Sequence, residues 1–391
     1  MIKSILSLGL GTALTKVVPL IFSYVIASKL GNEEYTAFIS FLLLANVIIN
    51  FSVLGVVPQV ISRNSRSICL SYILIPFSIA IIIWHFKTLS FVQEKWHPIY
   101  LLLYVIALIV IYLMTAFYNS ILKNEKAAWI WIVSGVLGLI SCAIAFITNS
   151  AYLTITAIFI SPYLMVASFY ILKWHVEKWS VEKLTFYNLK RTLVNSIFIS
   201  SFGFSVVFSF YHIQTSIDGV EKLMFSIFYQ FFTIATFLPG VMGNIIIPRL
   251  SRGVIKCNYD VVIPLIYLLV FLSLTFLSVF FLFCWSEFGG QLDVRNILMS
   301  STYNSEITLL LLTTCVAVFN TYKLQVAISQ RKFKFLFFCS LAWLALFYLL
   351  STTLGPTLLA FSVALFVCYL SFALALNIFM RIKNGKTNLA S

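Results

Sequence analysis

The chain contains twelve continuous apolar segments, each about as long as a helix that crosses a lipid bilayer. A hydrocarbon core about 30 Å thick needs about 20 apolar residues in a helix, whereas a spanning β-strand needs about ten residues that alternate. The segments here are continuous, which excludes an outer-membrane barrel. Because hydrocarbon contains no water to satisfy exposed backbone groups, we expect each segment to be an α-helix.

Composition supports an all-α polytopic membrane protein. Apolar residues make up 61% of the 391 residues, charged residues make up 10%, and mean hydropathy is +1.02. Globular domains are about 25% charged, so this chain has too little polar surface to cover a soluble protein. The segments lie at 4–28, 35–57, 68–86, 98–121, 127–147, 151–172, 193–214, 223–247, 261–285, 307–330, 335–354 and 356–380.

Basic residues are unevenly divided between the two sides of the predicted membrane. Nineteen of the 26 lysines and arginines lie on the side of both termini, and only five lie on the other side. The positive-inside rule places the basic side in the cytoplasm. Topology thus explains the net charge of +14, and we predict membrane lipids rather than nucleic acid as partners.

One long connection on the basic side divides the segments into six plus six. We predict an N-terminal lobe at 1–172, a cytoplasmic linker at 173–192 and a C-terminal lobe at 193–391. A faint repeat supports the division, since VPQVISR at 57–63 resembles IPRLSR at 247–252. Each half has an even number of segments, so the repeat is expected to be parallel, as in alternating-access carriers.

Only two formal charges lie inside the apolar segments, and both are lysines, Lys16 and Lys323. Lys16 is about 18 Å of helix from either end of its segment at ~1.5 Å per residue, too far for its stem to reach the interface. Lys323 is nearer the cytoplasmic end, where it could partly snorkel. A charge at membrane depth costs ~2.5–3.5 kcal/mol, so it marks a pathway or an anionic cargo. The alternative is that Lys16 only hydrogen-bonds to carbonyls of neighbouring helices.

Other polar residues complete the predicted substrate-binding site. Asn320 shares a helical face with Lys323. Asn50 lies one turn after Asn46, where interhelical hydrogen bonding is the alternative role. His212 lies near the outer end of the seventh segment and could line an external gate or simply lie at the interface.

Two further sets of residues are assigned candidate roles from their positions in the sequence alone. Arg63, Arg249 and Arg252 lie at cytoplasmic helix ends, where they could collect anionic headgroups or an arriving pyrophosphate, although topology alone would also place arginines there. Pro239 and Gly240 interrupt the eighth segment and are predicted to form a hinge.

The sequence has no motif of an enzyme. It contains no Walker loop, no G-x-S-x-G, no H-E-x-x-H and no paired carboxylates inside the segments. Its seven cysteines are scattered, without C-x-x-C pairs or Cys/His clusters. We therefore predict no catalytic residue, no metal site and no cofactor.

Several motifs resemble those of the Wzx-type polysaccharide flippases, which belong to the multidrug/oligosaccharidyl-lipid/polysaccharide (MOP) exporter superfamily. They are GTALTK at 11–16, LGNEEY at 30–35, GVVP at 55–58, SR at 62–63, YNSILK at 118–123, FLP at 237–239 and IPRLS at 247–251. These motifs are soft, but the number and spacing of segments agree with the family over the whole length.

The resemblance implies two six-helix lobes that flip a polyprenyl-pyrophosphate-linked oligosaccharide, carried on undecaprenyl, to the periplasmic leaflet of the bacterial inner membrane. It also implies a cationic central cavity, and Lys16 matches the basic residue that the family places in its first helix. The polymerase and chain-length regulator of the same O-antigen or capsule pathway are the implied protein partners. The seventh segment departs from the family in having no internal Lys or Arg. Any positive charge that the C-terminal lobe contributes to the cavity would therefore have to come from Lys323.

Two other functions stay open at this stage. A drug or cation exporter of the same superfamily would share the architecture, but such exporters usually carry intramembrane carboxylates, and these segments contain none. An O-antigen polymerase, which is an enzyme, would be expected to have a long periplasmic loop with arginines, whereas the outer connections here contain a single arginine, Arg295.

Overall fold

The computed structural model describes residues 2–61, 67–88, 98–121, 123–148, 151–173, 180–236, 239–240, 242–243, 246–247, 250, 262–287 and 303–388. Within these residues the chain forms thirteen helices and two three-residue strands. The helical fold expected from the sequence is confirmed. The described residues add a short helix at Val57–Ile61 and a pair of short strands, of which the first, Ser67–Cys69, includes the first two residues of the predicted segment 68–86.

The elements are numbered in chain order. They are α1 (Ile2–Leu30), α2 (Asn32–Ser52), α3 (Val57–Ile61), β1 (Ser67–Cys69), α4 (Ser71–Thr88), α5 (Pro98–Ser120), α6 (Asn124–Ile147), α7 (Tyr152–Lys173), β2 (Ser180–Glu182), α8 (Phe186–Ser216), α9 (Gly219–Ala235), α10 (Val262–Glu287), α11 (Asn304–Ser329), α12 (Phe333–Leu354) and α13 (Leu358–Asn388). Gly31 joins α1 to α2 with a φ of 105°, a backbone angle that favours glycine.

Nine of the described helices are long and apolar enough to cross a membrane, namely α1, α2, α5, α6, α7, α8, α11, α12 and α13. Helices α4 and α10 are apolar over the shorter stretches Ser71–His85 and Val262–Ser273. The eighth predicted segment corresponds to α9, which ends at Ala235, before the proline–glycine pair. The protein is therefore a multi-pass membrane protein.

The described residues form two compact units, one ending at Tyr211 and the other beginning at His212. The boundary lies within α8, which begins at Phe186, inside the stretch expected to be a linker. The helix starts before the apolar segment because helix formation needs a cap and backbone bonds rather than apolar side chains. Thr185 provides that cap, since its hydroxyl accepts the Asn188 N–H at 3.2 Å. The assignment of lobes stays a prediction.

In the first unit, α1 and α6 pack at unusually short range through glycines. A Cβ added at Gly135 would lie 2.4 Å from Leu14 Cβ, and one added at Gly138 would lie 2.7 Å from Val18 Cγ2. Small residues at such positions allow backbones to approach closely, which is how membrane helices gain packing contacts without a hydrophobic driving force. This contact fixes the rotation of α1 about its own axis.

The start of α8 is attached to the first unit by polar contacts. Strands β1 and β2 pair in parallel, with Ser67 opposite Ser180. The Gln59 side-chain amide donates to the Thr192 carbonyl at 3.2 Å and to Ser196 Oγ at 2.9 Å. One side of the first turns of α8 is therefore held against the chain that follows α2.

The second unit has its own core, formed mainly where α10 and α11 meet. Its buried residues are Ala235, Ile246, Tyr267, Phe271, Val318, Tyr322 and Val326. Trp343 of α12 and Tyr369 of α13 add an edge-to-face ring contact with centroids 4.6 Å apart. These contacts help to orient α11, which carries Asn320, Lys323 and Gln325.

Candidate functional site

Lys16 lies on the side of α1 opposite to the α6 contact. Gly11, Leu14 and Val18 face α6, and a helical rotation of 100° per residue places Lys16 about half a turn away from them. Its side chain is half-buried, and it makes no hydrogen bond or ion pair with any described residue. The alternative role, in which Lys16 only hydrogen-bonds to carbonyls of neighbouring helices, is therefore not observed among the described residues.

The neighbouring threonine shows how differently the other side of α1 is used. Thr15 is 8% exposed, and its hydroxyl donates to the Thr12 carbonyl at 2.9 Å. Its polar group is therefore satisfied within its own helix. Lys16 has no such partner among the residues that the structure describes, so its ammonium is the candidate ligand-binding group of α1.

Lys323 is held inside the second unit. Its ammonium donates to Asn377 Oδ1 of α13 at 2.5 Å and lies 5.2 Å from the centre of the Phe319 ring. Both contacts are neutral, so the positive charge is not cancelled by them. The side chain is thus directed towards α13, and Asn377 is a contact that the sequence did not identify.

The remaining predicted residues occupy different environments. Asn320 is 4% exposed and lies one turn before Lys323. Asn50 donates to the Asn46 carbonyl at 2.8 Å, and its Oδ1 would lie 2.7 Å from a Cβ added at Gly203. Asn50 therefore bonds within α2 and packs against α8, so its environment fits the helix-contact role that the sequence left as the alternative.

His212 lies among aromatic rings of the second unit. Its ring is 5.4 Å from that of Tyr348, 6.1 Å from that of Phe347 and 6.0 Å from that of Phe361, measured between centroids. The imidazole is half-buried there. This packing connects the end of α8 to α12 and α13. The gate role proposed for His212 stays a prediction.

The proline–glycine pair is contacted by a glutamine that the sequence did not single out. Gln325 Nε2 of α11 donates to the Pro239 carbonyl at 2.7 Å, and Tyr267 of α10 donates to Gln325 Oε1 at 3.2 Å. The Gly240 N–H bonds to the Thr236 carbonyl at 3.0 Å. A buried amide therefore connects the interrupted helix to α10 and α11. Arg63, Arg249 and Arg252 lie outside the described residues.

A further polar residue of the second unit is a buried carboxylate, Glu306. Glu306 is 9% exposed in the first turn of α11 and accepts a hydrogen bond from Ser305 Oγ at 2.7 Å. The sequence placed it just outside an apolar segment, whereas the helix includes it. Across the residues that the structure describes, no group of His, Cys, Asp and Glu is arranged to hold a metal ion.

Three solved structures with similar backbones are transporters. A Vibrio cholerae MATE transporter carrying a point substitution matches with a TM-score of 0.62 at 15% identity, over 97% of this chain and 96% of the other. An inward-facing multidrug resistance MATE family transporter of the MOP superfamily gives 0.59 at 14% identity, over 95% and 96%. This chain has the MOP-type transporter fold.

A third similar structure, a MOP superfamily transporter from Pyrococcus furiosus, gives a TM-score of 0.58 at 10% identity, over 98% of this chain and 94% of the other. For that protein, the reverse polarity of the binding pocket is said to suggest a different function. No protein-family model and no curated protein matches the chain. The fold is thus shared with transporters of differing pocket polarity.

Proposed function

We propose that this protein is a flippase. It moves polyprenyl-pyrophosphate-linked oligosaccharide repeat units of an O-antigen or capsule from the cytoplasmic to the periplasmic leaflet of the bacterial inner membrane by alternating access. The observation that carries the proposal is Lys16, a half-buried cation midway along a membrane helix with no partner among the described residues.

The energetic argument concerns the cost of that cation. A charge removed from water without a partner costs several kcal/mol, and the cost is recovered only when an opposite charge or strong acceptors approach. A pyrophosphate provides both, because its oxygens are charged and each accepts hydrogen bonds. An anionic lipid-linked cargo therefore fits Lys16 better than a cationic drug, which the ammonium would repel.

Lys323 is the second intramembrane cation that is consistent with an anionic cargo. Its ammonium donates to Asn377 Oδ1, a neutral acceptor, so this contact leaves the lysine's positive charge in place. The polymerase and chain-length regulator of the same pathway remain the proposed protein partners, since they would receive the translocated unit.

Substitution of Lys16 tests the proposal in a cell that depends on this protein for surface polysaccharide. We expect Lys16→Gln and Lys16→Glu to lower export at least about 30-fold, since truncating one member of a buried charge pair costs about 2–5 kcal/mol. Lys16→Arg keeps the charge and should retain more export than either. The measurement is surface polysaccharide per cell at equal protein level, together with the leaflet in which lipid-linked units accumulate.

A matched control lies on the same helix. Lys29 donates to the Thr148 carbonyl at 2.7 Å, so its ammonium already has a protein partner. Lys29→Gln removes the same charge and should leave export within about twofold of the wild type, with a small loss of stability. Normal export by both Lys16→Gln and Lys16→Glu at wild-type expression would remove the basis of the proposal.

Export of drugs or cations is the second candidate function, and Glu306 favours it. This buried carboxylate in α11 could bind a proton or a cation, and two of the similar structures described above are MATE transporters. Deletion separates the candidates. Loss of a flippase leaves repeat units on the cytoplasmic leaflet, whereas loss of a drug exporter raises sensitivity to cationic drugs and leaves surface polysaccharide unchanged.

A further inference from the structure

The first turns of α8 expose an unusual combination of side chains. Phe186 is 81% exposed, Tyr187 is 69% exposed and Val194 is 41% exposed, and Lys190 and Arg191 are exposed between them. At 100° per residue, all five lie within a sector of about 140° around the axis of α8. We call these five residues the basic–aromatic face.

The opposite side of the same turns is attached to the protein. Thr192 is 4% exposed and Ser196 is 1% exposed, and both accept hydrogen bonds from Gln59. Ser71 Oγ also lies 3.1 Å from Thr192 Oγ1. The basic–aromatic face therefore lies on a helix whose opposite side is bonded to the rest of the first unit.

The length of α8 determines where this face lies. The helix has 31 residues, which at ~1.5 Å per residue is about 46 Å, whereas the hydrocarbon core is about 30 Å thick. About ten residues must therefore lie in a headgroup layer or beyond it. Lys190 and Arg191 place that surplus at the start of the helix, because charged residues avoid hydrocarbon.

The chemistry of the face matches a lipid headgroup layer. Aromatic rings prefer the membrane interface, and each basic residue near an anionic surface adds about 1 kcal/mol of attraction. From Lys183 to Val194 the sequence has three basic residues and no acidic one. Glu182 precedes the helix in β2, on the strand that pairs with β1 rather than on the face itself.

We propose that the basic–aromatic face binds the headgroups of anionic phospholipids, such as phosphatidylglycerol, in the leaflet where α8 begins. Lys190 and Arg191 contact the phosphates, and Phe186 and Tyr187 insert between the headgroups and the upper acyl chains. The bound lipids hold the start of α8 at a set depth. This proposal is independent of the transported cargo.

Lipid titration of the purified full-length protein tests it. Delipidated protein is titrated with phosphatidylglycerol or with phosphatidylcholine, and bound lipids are counted by native mass spectrometry. The wild type should bind phosphatidylglycerol in preference. Lys190→Gln combined with Arg191→Gln should weaken that binding about 30-fold, because each basic residue contributes about 1 kcal/mol of attraction to an anionic surface. Lys332→Gln combined with Lys334→Gln removes the same charge from exposed positions at the start of α12 and should change it less than threefold.

Equal losses in the two double variants, or equal binding of the two lipids by the wild type, would overturn the proposal. A second measurement leaves the basic residues intact. A photo-crosslinking phenylalanine analogue at position 186, in vesicles of three parts phosphatidylcholine to one part phosphatidylglycerol, should label phosphatidylglycerol above its share of the mixture. Labelling in proportion to the mixture contradicts the proposal, and so does cellular crosslinking to a protein in place of lipid.

Discussion

Gln325 Nε2 donates a hydrogen bond to the Pro239 carbonyl at 2.7 Å, although the two residues are 86 positions apart. Helices in membranes tolerate proline where neighbouring side chains satisfy backbone groups, and Gln325 provides a donor for the proline's own carbonyl. Here the same glutamine also accepts from Tyr267 at 3.2 Å. The predicted hinge is thus bonded to two other helices in this conformation.

Gln325→Leu should destabilise the protein, because it leaves the Pro239 carbonyl and the Tyr267 hydroxyl without these partners. We expect the free energy of unfolding to fall by about 2–3 kcal/mol, measured by thermal unfolding in detergent. Gln330→Leu is the matched control, since Gln330 Oε1 is buried without a partner among the described residues and its removal should be neutral or stabilising. Equal effects of the two variants would contradict the assigned role of Gln325.

The close contact between α1 and α6 leads to a second prediction. Gly135→Ala introduces a Cβ 2.4 Å from Leu14 Cβ, so backbones must separate. Overpacking of this kind costs about 1–3 kcal/mol. Gly240→Ala is the control, because no described atom lies within 4 Å of the added Cβ, and alanine is the better helix former by about 1 kcal/mol. A stability loss in Gly240→Ala as large as that in Gly135→Ala would contradict the packing argument.

The contact between Lys323 and Asn377 allows the charge of Lys323 to be cancelled without changing the lysine. Asn377→Asp places a carboxylate where Asn377 Oδ1 now accepts at 2.5 Å. If Lys323 attracts an anionic cargo, export should fall about tenfold or more while stability is kept or increased, because the introduced charge pairs with the ammonium. Unchanged export in Asn377→Asp, measured beside Asn377→Gln, would show that the cargo does not use Lys323.

The helices could be predicted from the sequence because the bilayer admits few alternatives to a helix for a long apolar segment. The start of α8 could not be predicted from apolarity. The apolar segment begins only after Lys190 and Arg191, whereas Thr185 caps a helix that begins earlier. Apolarity reports which residues lie in hydrocarbon, whereas capping decides where a helix begins. This difference moved the start of α8 into the predicted linker.

The depth of Lys16 could also be predicted, because helix rise converts sequence position into distance. Its lack of a partner among the described residues could not, since that depends on which side of α1 the glycines of α6 occupy. Asn377 was not identified for the same reason, as it lies 54 positions from Lys323. Partners of this kind are set by the rotation of packed helices, which hydropathy does not report.

Glu306 provides the prediction that best separates the two candidate functions. Its carboxylate lies in the first turn of α11, where a helix N-terminus favours negative charge by about 0.3–1 kcal/mol. Glu306→Gln keeps the shape and can still accept from Ser305. A flippase whose cargo binds to Lys16 should therefore retain at least about half of its export, with a stability loss below about 1 kcal/mol.

An exporter coupled to a proton or cation through Glu306 should instead lose transport in Glu306→Gln and keep it in Lys16→Gln, the reverse of the pattern expected for the flippase. Both variants are measured for surface polysaccharide and for resistance to cationic drugs in the same cells. Glu221→Gln is the carboxylate control, because Glu221 accepts the Leu358 N–H at 3.0 Å and so stabilises the start of α13. Resistance to cationic drugs that is lost in Glu306→Gln but kept in Glu221→Gln and Lys16→Gln would favour the exporter.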